Sequence, residues 1–276
     1  MVDPGNVYDS AACAPSVSGT ARAVFIRRHL LWVLVRRDAV QRYRRSFLGV
    51  GWTLLTPILT VAVLWGVFSN LFSGAKFGAP YPVYLFAGIV VYGSATQTIQ
   101  QTAASLVSNE SMISKVLVPP ELFPIAAACS VAIISVVTLL PLLALQIILG
   151  AGVPPTAPLA VLPLILVGAF GLGVGMLIAR IAVGLPDALH VTNVGLLLLG
   201  YLTPTFYPLS QVSGRARWVI LANPLTEDLS ILRSVVYGDA FGTWHAWLYA
   251  IATGAVVLVL GIRSFGRGAR YLVVMK

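Results

Sequence analysis

Residues 36–57 read RRDAVQRYRRSFLGVGWTLLTP, a cluster of arginines that stops at Arg45 and gives way to apolar chain. From Ser46 to Ala75 no residue is charged, a run of thirty positions. A helix of about 20 residues crosses the hydrocarbon core of a bilayer, so this run is long enough to span. An arginine at mid-bilayer costs about 3 kcal/mol on insertion scales. The cluster therefore stays on the side where it is made, which predicts a cytoplasmic N-terminus and sets the rest of the topology.

The whole chain fits that reading. Of 276 residues, 58% are hydrophobic and 10% are charged, where soluble domains carry about 25% charged residues. A net charge of +9 would suit nucleic acid, but eight of the 18 basic residues fall between Arg22 and Arg45. Beside a spanning run, that placement signals topology and attraction to anionic lipid, so no nucleic-acid partner is expected. Cys13 lies in a polar tail and Cys129 in an apolar run, which makes a disulfide framework implausible. Residues 1–21 lack both the charged start and the apolar centre of a signal peptide and read as a disordered N-terminal tail. Residues 22–45 read as a cytoplasmic interfacial helix. Its apolar hexad Leu30–Val35 is too short to span, and its arginines do not share one helical face, so a kinked helix is expected.

Five charge-free runs follow, at 46–75, 77–109, 122–179, 188–214 and 240–262. The third is long enough for two spans and breaks at Gly150-Ala-Gly-Val-Pro-Pro155, a turn signal. The expectation is six transmembrane helices, at 47–72, 82–105, 121–149, 157–180, 188–208 and 243–263. With the N-terminus inside, fourteen basic residues fall on the cytoplasmic side and four outside, the asymmetry of the positive-inside rule. Both termini are then cytoplasmic. Leu106–Val118 reads as a short helix along the cytoplasmic face, ended by Pro119-Pro120. In the outer segment 209–242, Pro224 can begin a helix with Leu225, Leu229, Leu232 and Val236 on one stripe. That stripe is too short to span and predicts one or two re-entrant helices.

Catalytic chemistry is sparse. All nine carboxylates lie outside the predicted spans or at their ends, whereas ion-coupled carriers place ionisable groups at mid-membrane. His29, His190 and His245 have no partner at metal-ligand spacing, and there is no G-x-x-x-x-G-K-[ST] phosphate loop. No catalytic, cofactor-binding or metal residue is assigned. Gly171 and Gly175 form a G-x-x-x-G pair suited to close helix approach, within one subunit or between two. Trp65, Phe68 and Phe72 lie toward the outer end of the first span, and Tyr201, Phe206 and Tyr207 toward that of the fifth. They read either as an interfacial aromatic belt or as a stacking surface for sugar rings in a translocation path.

Three stretches carry a resemblance. Arg37-Asp38, Tyr43-Arg44-Arg45-Ser46, Leu48-Gly49, Trp52 and Pro57 resemble the approach to the first span of ABC-2-type permeases that export polysaccharides, teichoic acids and lipid-linked glycans. Met112-Ile113-Ser114-Lys115-Val116 with Pro119 and Pro124 resembles that family's loop between helices two and three. Asn223-Pro224-Leu225-Thr226 with Arg233 and Gly238 resembles its outer segment before the last helix. The matches follow the family's order over most of the chain.

The resemblance implies an all-α transmembrane domain over 46–265 with a cytoplasmic tail at 266–276, in a bacterial inner (plasma) membrane. It implies a homodimer of permeases with two copies of a separate ATP-binding cassette subunit, which would hold ATP and Mg. Arg36, Arg37, Ser111, Ile113 and Lys115 are the implied contacts for coupling to that ATPase. Asn223, Pro224 and Arg233 are implied in an outer gate. Glu110 departs from the small or polar residues expected in its loop and is given no contact partner. The cargo would be a polyprenyl-diphosphate-linked polysaccharide of O-antigen, teichoic acid or cell-wall galactan type. Arg42, Arg44 and Arg45 would suit its diphosphate, although topology and anionic membrane lipid alone are the favoured explanation for them. Export of a drug or small lipid is the alternative; a membrane-embedded transferase lacks the acid–base cluster it would need.

Overall fold

Apolar, charge-free chain is driven to helix because only helices and closed barrels satisfy backbone polar groups within hydrocarbon. The computed structural model of the chain describes residues 17–43, 47–49, 51–71, 77–113, 118–239 and 242–274, and every regular element among them is helical. At the N-terminus α1 (Val17–Ile26) and α2 (Arg28–Tyr43) are separated by a turn at Arg27. The expected kink is thus a break, and α1 starts inside the tail read as disordered. Residues 17–21 are helical, and tertiary packing explains why: Thr20 is buried and α1 lies against the last helix, α12 (Trp244–Val274).

Helices stand at all six expected positions. They are α3 (Gly51–Phe68), α4 (Tyr81–Ser108), the pair α6 (Leu122–Val137) and α7 (Leu139–Ile148), α8 (Val161–Gly184), α9 (Asp187–Leu202) and α12. Four helical stretches among the described residues are long and apolar enough to cross a membrane: Gly51–Phe68, Leu122–Ile148, Ala157–Gly184 and Trp244–Phe265. Two differ from expectation. The second, α4, is 28 residues long but rich in Ser, Thr and Gln. The fifth, α9, ends at Leu202, six residues early, because Pro204 pushes Thr203 into extended backbone. Its 16 residues reach about 24 Å at the helical rise.

Proline also divides the third span. Pro141 lacks the N–H that would bond the Val137 carbonyl. The helix is reset at Thr138, whose N–H donates to the Ile134 carbonyl at 3.0 Å and whose hydroxyl donates to the Ser135 carbonyl at 2.7 Å. Of the cytoplasmic helix expected over Leu106–Val118, residues 106–108 are the end of α4, α5 (Glu110–Ile113) is a separate turn of helix, and 114–117 lie outside the described residues. Among the described residues, segment 209–242 holds two α-helices, α10 (Gly214–Ala222) and α11 (Pro224–Tyr237). Leu225, Leu229, Leu232 and Val236 are all buried, so the stripe of α11 faces the core.

The bundle is built around α4. Val83, Leu85, Val91, Ala95, Ile99 and Ala103 bury it along its length, and its hydroxyls bond back to its own turns, as Ser94 does to the Val90 carbonyl at 2.6 Å. Helix α8 packs between α4 and α12 through glycines on opposite faces. A Cβ at Gly175 would lie 2.5 Å from Thr102 Cβ, and one at Gly173 would lie 2.6 Å from the α12 backbone at Val257. The G-x-x-x-G pair therefore works within one subunit. Helix α3 stands at the edge, with only Thr53 and Val61 buried.

Gly173→Ala should lower the melting temperature of the detergent-solubilised protein, by the roughly 1–3 kcal/mol typical of overpacking. Gly168→Ala, where a Cβ meets nothing within 4 Å, should melt as wild type does. Equal melting of both would contradict the α8–α12 contact.

Candidate functional site

Three places along the bundle gather polar groups. At the α2 end, Leu34 and Val35 pack with Leu122, Phe123 and Ala126 of α6, and Met112 and Ile113 join that cluster. Arg37 is held there: Nη2 and Nε donate to Asp38 Oδ1 at 2.7 and 3.0 Å, and Nη1 lies 3.3 Å from Met112 Sδ. Beside it opens a cleft of about 370 Å³ lined by Arg37, Asp38, Gln41, Gln101, Ser105 and Asn109. The structure thus brings Arg37 against the α5 helix that carries Ser111 and Ile113. Arg36 is exposed on α2. Lys115, Arg44 and Arg45 lie outside the described residues, as does the side chain of Arg42.

Midway, a cavity of about 300 Å³ lies between α3, α4 and α6, with Trp52, Thr53, Thr56, Thr60, Gln97 and Ser135 on its walls. None of these was singled out as a site residue by sequence. The available signal was the recurrence of threonine at 53, 56 and 60, which puts three hydroxyls on one face of a helix. Above it on α3, Trp65 instead lines an apolar cavity of about 320 Å³ with Phe86, Pro141, Leu145 and Ile148.

At the α11 end, residues 203–208 form a non-helical strap between α9 and the turn before α10. Its carbonyls set the geometry. Asn223 Nδ2 donates to the Leu202 carbonyl at 3.3 Å and to Thr203 Oγ1 at 2.9 Å. The Tyr84 hydroxyl shares its one proton between the carbonyls of Tyr207 at 2.8 Å and Pro204 at 3.3 Å. Arg233 Nη2 donates to the Thr205 carbonyl at 3.1 Å, and the Tyr81 hydroxyl to the Phe206 carbonyl at 2.9 Å. The Thr205 N–H closes on the Thr203 carbonyl at 2.7 Å. Every carbonyl from Leu202 to Tyr207 thereby has a partner. Sequence reasoning missed Tyr81 and Tyr84; their spacing of three places both hydroxyls on one side of the first turn of α4.

Arg233 also lies over the Tyr84 ring, its guanidinium carbon 3.4 Å from the ring centroid, a cation–π contact worth about 2 kcal/mol where water is excluded. Burial pulls its pKa down, and the Tyr84 and Tyr237 hydroxyls oppose that. The strap rests on α4 backbone: a Cβ at Gly88 would sit 2.6 Å from Thr205 Cγ2. Asn223 caps α11 as well, its side chain accepting from the Leu225 N–H at 3.0 Å, with Pro224 at the first helical position.

The aromatic residues divide. Phe68 stacks on Phe206 with ring centroids 5.6 Å apart, and Phe206 meets Tyr207 edge-on at 5.3 Å. The Tyr207 hydroxyl donates to the Tyr201 carbonyl at 3.0 Å. These four gather at the strap, Trp65 does not join them, and Phe72 lies outside the described residues.

Residues 29–237 match the family described as ABC-2 type transporter. The chain is 27% identical over 256 residues to the O-antigen export system permease protein RfbA of Myxococcus xanthus, covering 90% of this chain and 95% of that one. A protein of the same name from Klebsiella pneumoniae is 23% identical over 241 residues, covering 86% and 91%.

Asp228 on α11 is 2% exposed, and its Oδ1 has no hydrogen-bond partner. Burial, and then the neighbouring Glu227, push its carboxyl up from 3.8 to about 7. The unfolded chain ionises first, so this group withdraws stability as pH rises from about 4 to about 7, and the loss is complete above that. Asp228→Asn should remove that slope. Melting temperatures should match wild type near pH 4 and exceed it near pH 8; parallel curves across the range would show that Asp228 ionises freely.

Proposed function

This chain belongs to the ABC-2 type transporter family, and on that premise we propose that it is the permease of an ATP-driven exporter. Its cargo is a polyprenyl-diphosphate-linked polysaccharide, carried from the cytoplasm to the outside. The observation that carries this reading is the end-to-end likeness to O-antigen export permeases, which spans 95% of the Myxococcus xanthus protein. A likeness confined to the apolar helices would say only that both proteins cross a membrane.

The chain is a multi-pass membrane protein, a transport subunit by family. In the proposed arrangement it crosses six times, with both termini cytoplasmic, in the inner membrane of a bacterium. Permeases of this family work with an ATP-binding subunit. Two permeases and two such subunits make the complex, and ATP and Mg are bound by those partners. The α2–α5 corner with Arg36, Arg37, Ser111, Ile113 and Lys115 meets the ATPase, supported by the packing of Arg37 against Met112. Arg42, Arg44 and Arg45 meet the lipid diphosphate at the cytoplasmic face. Helices α10 and α11 dip into the outer leaflet and, through Asn223, Pro224 and Arg233, hold the strap as a gate.

The hydroxyl-lined cavity beside Trp52 supports a hydroxylated cargo, since polar side chains within spans face a wet or protein-lined space rather than lipid. Phe68, Tyr201, Phe206 and Tyr207 supply stacking faces further out. The alternative, export of a drug or small lipid, draws on the apolar cavity that Trp65 lines.

Two experiments test this reading. Depletion of the protein in its own cells should make lipid-linked glycan accumulate on the cytoplasmic side. A cell that keeps the ATPase partner and shows no accumulation would move the assignment to the small-lipid exporter. A cysteine engineered at Ser213 should react with an impermeant maleimide added outside intact cells; reaction only after lysis would invert the topology.

A further inference from the structure

We propose that the cavity between α3, α4 and α6 takes uncharged sugar rings and turns away anionic ones, so that the repeat unit of the cargo carries neither phosphate nor carboxylate. The proposal rests on the glycan-export reading and deepens it by choosing among the cargos which that reading allows.

The cavity, of about 300 Å³, has no charged side chain among its described walls. The runs 46–75, 77–109 and 122–179, which hold α3, α4 and α6, contain none in sequence. Its hydroxyls have spent their protons on their own helices. Thr60 donates to the Thr56 carbonyl at 2.8 Å, Ser94 to that of Val90 at 2.6 Å, Ser135 to that of Val131 at 3.0 Å and Thr138 to that of Ser135 at 2.7 Å. A hydroxyl has one proton and two lone pairs. What Thr60 and Thr138, the more open of the four, still offer is acceptors. Sugar hydroxyls can donate to them, and Trp52 gives an aromatic face for the C–H side of a ring. Gln97 and Trp52 add neutral N–H groups, and no cation. A phosphate or carboxylate only accepts. Here it would lose water and meet lone pairs without a counter-charge, the costly way to bury an ion.

The approach to this cavity is neutral as well. Gly93 and Gln97 on its wall continue one face of α4 through Gln101, Ala104 and Ser108, and those three wall the cleft at the α2 end. Arg37, the cation among the described walls of that cleft, is bound to Asp38 at 2.7 Å. Amides on a spanning helix call for a wet or protein-lined face, and this one runs from cleft to cavity without net charge. The diphosphate of a carrier lipid would cross once per chain, whereas a charge in the repeat unit would meet this face at every step.

Saturation-transfer NMR on the full-length protein in detergent tests the site with matched probes. Methyl glucoside and methyl galactoside are compared with methyl glucuronide and methyl galacturonide, which differ from them only in the carboxylate that replaces the hydroxymethyl group. The neutral glycosides should bind with a dissociation constant on the order of 1 mM, and the acids about tenfold more weakly or worse. Gly93→Leu should abolish transfer, because a Cβ there meets nothing closer than Gln97 Nε2 at 3.9 Å and the added side chain fills the cavity. Thr60→Val, at an exposed position on α3, keeps the shape, removes the acceptor and should weaken transfer severalfold. Equal transfer to acids and neutral glycosides, silence from the neutral pair, or transfer undiminished in both variants would each overturn the site. The glycan that accumulates on depletion is then hydrolysed and its repeat unit analysed. Phosphate or uronate in that repeat would sink this inference and leave export standing; selective neutral binding without accumulation would keep the site and sink the export reading.

Discussion

A carbonyl that leaves a helix inside an apolar bundle must find another donor, because there is no water to take it. Six consecutive carbonyls, Leu202 to Tyr207, leave α9 together. Their donors come from the N-terminal end of α4 (Tyr81, Tyr84), from α11 (Arg233), from the cap between α10 and α11 (Asn223) and from the strap itself. Much of the architecture of that end follows. Gly88 is bare because the strap lies on it, and Pro224 starts α11 where Asn223 must turn back. Arg233 can be drawn out of water because two carbonyls and a tyrosine face receive it. Each of these interactions is modest by itself, at about 1 kcal/mol net for an ordinary hydrogen bond. Losing one would cost more, since an orphaned carbonyl would remain buried.

What could be read from sequence was what repeats or accumulates along the chain. The run from Ser46 to Ala75, the break at Gly150–Pro155 and the apolar stripe of α11 are patterns of many residues, and helices stand where they predict. Proline punctuation was harder. Pro119 and Pro224 mark boundaries that the pattern shows, but Pro141 and Pro204 lie hidden inside apolar runs, and there the structure breaks α6 from α7 and ends α9 early. The difference is that hydropathy counts proline as one more apolar residue, although its missing N–H acts one turn away. The helix at 17–21 leaves no sequence signal for the opposite reason: small polar residues have little to bury locally, and α1 is held by contacts with chain more than two hundred positions away.

The candidate site was legible only where one residue sufficed. Arg233 and Asn223 were found through a motif, and Phe68 with Phe206 and Tyr207 through their position near span ends. Trp65, three residues before Phe68 on the same helix, faces an apolar crevice instead. A belt and a cluster cannot be separated without knowing how α3 is rotated on α4. The hydroxyl-lined cavity needed three helices at once: threonines on α3, Gln97 on α4 and Ser135 on α6 are each unremarked in their own segments. Tyr81 and Tyr84 were missed because their partners are carbonyls, which carry no sequence signature.

Helix α4 joins the two ends. Its N-terminal turns hold the strap, and its C-terminus runs through Asn109 into α5, where Met112 meets Arg37. At 28 residues it is a rod of about 42 Å, held against α8 where Gly171 and Gly175 meet Thr98 and Thr102 too closely for a Cβ. A rod so held transmits displacement without storing it. Coupling between distant sites needs in addition an element with two arrangements. The helix breaks at Arg27, Thr138 and Thr203 all lie beside α4 or at the ends it joins. Of these, only the strap after Thr203 has its carbonyls held by side chains from two other segments. Those side-chain bonds are few, and rotating a side chain can break one without unwinding a turn, which the bonds of a helical carbonyl do not allow. The physical asymmetry between a stiff rod and a strap held by side chains is what sets the α11 end apart from the middle of the bundle.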